Sequence, residues 1–148
     1  MNFGIAQYSN LSIDQSSWIN DLSNELKLFF EEKNYGEDLN ELYFGLITVK
    51  PEFDQFFRKK RPRYLSGEKS SSVDGITIKT INCAEIDVKL DYSEVFKLGQ
   101  SELIEIICKA LLSEISCLTR LSKLKKFDFT LFKSDLKDYL IKQSYLKG

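Results

Sequence analysis

The side chains of this 148-residue sequence that could do chemistry are acids, lysines and thiols, because it contains no histidine. Imidazole is the group best suited to proton transfer near neutral pH, and it is the commonest zinc ligand. Its absence excludes Ser–His and Cys–His nucleophile pairs within the chain. Three cysteines, Cys83, Cys108 and Cys117, are odd in number and too widely spaced for a disulfide framework. Cys108 and Cys117 stand nine residues apart, which puts them on opposite faces of a helix, where they cannot share a metal. Each thiol reads as a small buried hydrophobe. No phosphate-binding glycine loop, GxSxG, HExxH or paired CxxC occurs. We therefore expect a non-enzyme without catalytic residues, metal or cofactor.

Carboxylates remain. Asp21, Glu25, Glu31, Glu32, Glu37 and Asp38 fall between Asp14 and Glu41, where eight acids meet only Lys27 and Lys33, a balance of −6. Paired carboxylates do acid–base work when their environments push their pKa values apart. Glu31–Glu32 and Glu37–Asp38 sit among Lys33, Asn34 and Gly36, which fits a solvated acidic face better. Such a face can mimic nucleic acid and cap the basic cleft of a nuclease. Asp87, Lys89 and Asp91 alternate along a predicted strand and would project together, as would the wet side of any amphipathic strand.

The charge comes in alternating blocks: +4 over Lys50 to Lys69, −4 over Asp74 to Glu114 and +5 over Arg120 to Lys147, within a net −1. Arg58, Lys59, Lys60, Arg61 and Arg63 stand beside Phe53, Phe56, Phe57 and Tyr64. That cluster could grip phosphates with Tyr64 or a nearby Phe stacked on a base, form the rim of a protein interface, or be a solvated loop. The chain is acidic overall and the run is short, which disfavours nucleic acid as the partner.

The elements that would carry these groups follow from periodicity. Residues 3–9 read as a strand. Trp18, Leu22, Leu26, Phe29 and Phe30 make the stripe of a helix capped by Asp14 or Ser16 and stopped by Gly36. Residues 42–50 are almost wholly apolar, as in a strand covered on both faces or central in a sheet. After Pro51, Phe53, Phe56 and Phe57 would turn inward on a helical turn, and Pro62 onward would be an exposed loop. Ile76 to Tyr92 reads as two antiparallel strands joined near Thr80 to Cys83. A long helix follows, with Ser101 as cap and Ile104, Ile107, Leu111, Ile115 and Leu118 in its stripe. "FDFTLF" reads as extended or irregular, and a last helix follows with Ser134 as its cap, with Leu136, Tyr139, Leu140 and Leu146 as candidates for its buried side. The expected class is α+β: a small antiparallel sheet of about four strands on a long central helix, in the order β-α-β-β-β-α-α, as one domain over residues 1–148.

No apolar run nears the roughly 18 residues that span a bilayer, and "MNFGIAQYSN" lacks a signal-peptide pattern, so the expected address is the cytoplasm with no membrane partner. The stretches "NYGEDLNELYFGLITVKPEFDQFF", "RPRYL" and "AEIDVKLDYSEVF", followed by a long apolar helix and a short one, resemble the small immunity proteins encoded beside bacterial polymorphic toxins, including those of contact-dependent growth inhibition. The resemblance covers roughly residues 1 to 146. It implies a cytoplasmic inhibitor that binds one cognate toxin domain, often a nuclease, and blocks it. The family offers no signature from which single residues could be carried over. Aromatic anchors are expected at such an interface, and Tyr35 and Tyr43 near the acids, and Tyr64 near the bases, are the candidates.

Overall fold

The computed structural model describes residues 1–56, 63–70, 78–121 and 123–147, with the backbone alone at 63, 65–70 and 78–81. Strand β1 (Asn2–Ser9) leads through helix α1 (Ile13–Phe30) to β2 (Glu41–Thr48). A 3-10 turn (Pro51–Phe56), β3 (Arg63–Ser70) and β4 (Ile78–Lys89) follow. The chain then forms the short α2 (Tyr92–Val95), α3 (Gln100–Glu114), a 3-10 turn (Ile115–Arg120) and α4 (Phe129–Lys142).

The sheet order is β1-β2-β4-β3. β1, β2 and β4 run parallel, and β3 is antiparallel to β4 at the edge. The expected antiparallel sheet is thus overturned. The reason lies in α1: parallel neighbours need a crossover connection, and α1 supplies one between β1 and β2. The fold is a mixed α+β arrangement. β2, read as a near-continuous apolar run, is flanked by β1 and β4.

Several boundaries also differ from expectation, among them the cap of α1, which is Ser12 rather than Asp14 or Ser16. Ile78–Lys89 is one strand, not two, and Arg63–Ser70, read as loop, is its antiparallel partner, with Tyr64 opposite Ala84. Neither segment betrays this locally, because pairing with each other supplies the hydrogen bonds. The last helix starts at Phe129 rather than Ser134: Asp128 accepts from the Leu131 N–H at 3.0 Å and pulls "FTLF" into its first turns. The long helix is capped at Gly99, without a side chain, rather than at Ser101.

α1 begins with a capping box. The Gln15 N–H donates to Ser12 Oγ at 3.1 Å, and the Ser12 N–H donates to Gln15 Oε1 at 3.3 Å. Gln15 Nε2 also donates to the Val95 and Leu98 carbonyls, tying α1 to the segment around α2. Ile19, Leu22, Leu26 and Phe30 form its buried stripe. They pack over one face of the sheet that carries Phe3, Ile5, Leu42, Phe44, Leu46, Ala84, Ile86 and Val88. α3 adds Leu103, Ile104, Ile107, Cys108 and Leu111, and α4 adds Phe132, Leu136 and Leu140. Phe53 and Phe56 do not turn inward; they are 42% and 70% exposed.

α1 stops at Phe30, so Gly36 does not cap it. Gly36 has φ +118, and a Cβ there would overlap the Lys126 carbonyl oxygen. Gly36→Ala therefore forces a left-handed conformation on an L side chain and displaces the chain at Lys126. It should destabilise the protein by more than about 2 kcal/mol, read as a lower urea midpoint with unchanged slope.

Candidate functional site

Trp18, Asp21, Leu22 and Glu25 recur at i, i+3, i+4 and i+7 and so share one side of α1. They line a cleft of about 480 Å³ whose other walls are the start of α3 (Gln100, Ile104, Glu105) and the turn after α4 (Ser144, Tyr145, Lys147). Apolar atoms of Trp18, Leu22, Ile104 and Tyr145 stand among three carboxylates and one ammonium.

Glu25 organises the cleft. The Tyr139 hydroxyl donates to its Oε1 at 2.7 Å and the Tyr145 hydroxyl to its Oε2 at 2.6 Å. Tyr145 reaches it because the chain reverses after α4. Ser144 adopts φ 63, and the Tyr145 and Leu146 N–H groups both donate to the Leu140 carbonyl, at 2.9 and 3.3 Å. The turn also buries Leu146. Burial, then the bond to Glu25, pushes the Tyr145 phenol up to about 12; the same two causes raise Tyr139. On the rim, Lys109 hydrogen-bonds Glu105 at 2.9 Å and lowers its pKa. Among the described residues no lysine or arginine forms an ion pair with Asp21 or Glu25.

The six acids singled out from sequence divide into two groups. Asp21 and Glu25 meet in the cleft. Glu31, Glu32, Glu37 and Asp38 lie past the far end of α1, with Glu31 about 15 Å from Asp21 at 1.5 Å rise per residue. Asp38 has a structural task there: its Oδ2 accepts from the Lys126 N–H at 2.6 Å. Lys125 and Lys126 are exposed beside this second group, so the basic C-terminal block meets the acidic one. Glu25 departs from the solvated face expected of it, being half-buried under two phenols.

The three tyrosines are not free anchors. Tyr35 is a core residue, 3% exposed, and donates to Asp135 Oδ2 at 2.6 Å; burial and that bond raise its pKa. Tyr43 is half-buried, and its hydroxyl accepts from Asn2 Nδ2 at 2.9 Å. Tyr64 is half-buried and donates to the Asp38 carbonyl at 2.7 Å. Arg58, Lys59, Lys60 and Arg61 lie outside the described residues, as does the Arg63 side chain. Asp87, Lys89 and Asp91 have separate roles: Lys89 pairs with Asp54, Asp91 caps α2 through the Ser93 N–H, and Asp87 packs against Gly45.

Burial pushes the Cys83 thiol up to about 11, with Glu41 and Glu85 adding to it, and the Cys108 thiol up to about 12. Both are protonated at neutral pH, which fits packing rather than nucleophilic duty. Among the described residues no group of three or more His, Cys, Asp and Glu side chains could hold a metal. No described helix is long and apolar enough to cross a membrane.

Sequence reasoning passed over Trp18, Glu105, Tyr145 and Lys147. The heptad spacing of Trp18 and Glu25 was the available signal on α1. Nothing local announces that Tyr145 folds back onto it.

The described residues thus carry a cleft along one helical face and two thiols, Cys83 and Cys108, that are protonated at neutral pH. The chain belongs to the family described as Immunity protein 44, whose model matches residues 1–142. No curated protein and no solved structure matches it.

Two outcomes follow from the Glu25 clamp. Below pH 10, Tyr145 is protonated in both folded and unfolded chains; between 10 and about 12 only the unfolded chain ionises it. Stability should therefore fall as pH rises through that window, and Tyr145→Phe should remove part of the fall in a melting-temperature series. Ser144→Gly, which relieves the left-handed strain, should stabilise by about 0.5–1 kcal/mol in urea denaturation.

Proposed function

We propose that this protein is a cytoplasmic immunity protein of a bacterial polymorphic toxin system, of which contact-dependent growth inhibition is one kind. It binds one cognate toxin domain and neutralises it by covering the active site or the channel that leads there. The observation that carries this reading is the family match over residues 1–142. An inhibitor of this sort needs a stable surface and no reactive centre, and the raised cysteine pKa values accord with that.

The surface proposed for the toxin is acidic and runs along α1 and the loop beyond it: Asp21, Glu25, Glu31, Glu32, Glu37 and Asp38. Nuclease toxins hold phosphates with cations, so an opposing acidic face would speed encounter and fix orientation. Glu25 and Asp38 also hold the fold together, so they are poor choices for a test. Asp21, Glu31, Glu32 and Glu37 are exposed and serve it better.

The experiment is co-expression with the toxin domain encoded by the neighbouring gene. The wild-type chain should restore growth. Reversing Asp21, Glu31, Glu32 and Glu37 to lysine should abolish protection and slow association about tenfold or more at low salt, while the circular dichroism spectrum and melting temperature hold. Full protection by the folded variant would refute this surface. Failure of the wild-type chain to protect would refute the function.

A further inference from the structure

The cleft described above has a feature that general acidity does not explain. Glu25 is half-buried and its two oxygens are fixed by two phenols, so its charge cannot swing away to water. A carboxylate held this way has lost part of its hydration, and the phenols that replace that hydration carry no positive charge. Asp21, one turn earlier on α1, is exposed and reaches the same space. Trp18 is half-buried at the edge of the cleft, one turn further on. Leu22 and Ile104 make part of its walls apolar, and among the described lining residues the only basic group is Lys147.

We infer that this cleft is where the toxin inserts a guanidinium group: an arginine side chain of the partner lies along Trp18 and pairs with Asp21 over the fixed charge of Glu25. The inference rests on the immunity reading and narrows it to one anchor. Three physical arguments support that occupant. Charge complementarity selects a cation, since Asp21 and Glu25 have no ion-pair partner among the described residues. A planar cation stacks on an indole face and gains most where water is excluded. A volume of about 480 Å³ admits a long side chain with its stem against Leu22 and Ile104. Anchors of this kind, a charged group in a partly dry pocket beside an aromatic ring, are where interface energy concentrates.

The position of the aromatic ring provides the test. Trp18 is the only tryptophan in the chain, so protein labelled with 5-fluorotryptophan gives one fluorine resonance, and it reports from the cleft. The unlabelled toxin domain encoded by the neighbouring gene is the probe. Its addition should shift that resonance. Asp21→Asn, which keeps shape and removes charge, should weaken the complex at least tenfold, and Asp21→Glu should recover most of the loss. Trp18→Phe should weaken it less than Trp18→Ala. A complex of undiminished affinity with Asp21→Asn, or one that leaves the fluorine resonance unmoved, would overturn the inference and leave the immunity reading standing. Absence of any complex with the wild-type chain would sink both.

Discussion

The burial of Phe30 is the contact on which the rest of the structure depends. Its ring is fully buried and sits 5.0 Å from Phe3 on β1, 5.3 Å from Phe132 on α4 and 6.1 Å from Tyr35 in the following loop. Phe3 passes the contact on to Phe44 of β2 at 5.6 Å. Phe30 thus joins the end of α1 to β1 and the last helix, and Phe3 carries the contact on to β2. Each such ring stabilises by about 2–3 kcal/mol when fully buried, a large share of a net stability of about 5–15 kcal/mol. On α4, Tyr139 stacks on Phe29 of α1 at 4.2 Å and its hydroxyl donates to Glu25.

Residues that hold the fold also shape the cleft. Glu25, Tyr139 and Tyr145 tie α4 and the turn after it to α1 and shape the cleft. Pre-organised sites lose less entropy on binding. Asp38 shows the same economy at the other end of α1, where its carboxylate and its carbonyl hold Lys126 and Tyr64. An acidic segment can look like a solvated face in sequence and yet contain carboxylates that are structural acceptors.

What the sequence made legible follows the range of the interactions. The stripe of α1 and the central position of β2 are written in local periodicity, and both elements form, although α1 is capped at Ser12 and ends at Phe30, short of Gly36. The sense of the sheet was not legible, because parallel and antiparallel strands have the same alternation, and the choice is made by how α1 crosses over. β3 was read as loop because its glycine and serines weaken local propensity; β4 supplies what they lack. The cleft was half legible. Trp18, Asp21 and Glu25 declare a shared side of one helix, whereas Tyr145 enters through a left-handed residue at Ser144 that no pattern marks. Tyr35 failed as an exposed anchor for the same reason: its partner, Asp135, is 100 residues away.

The central claim is that the helical side of the molecule, held by the Phe30 cluster, receives the partner. Hydrogen-exchange mass spectrometry of the protein with and without its cognate toxin domain tests this most directly. The account predicts slowed exchange in peptides covering the α1 residues around Asp21, the start of α3 and the turn after α4. Slowing confined to β1, β2 and β4, with these three segments unchanged, would contradict it.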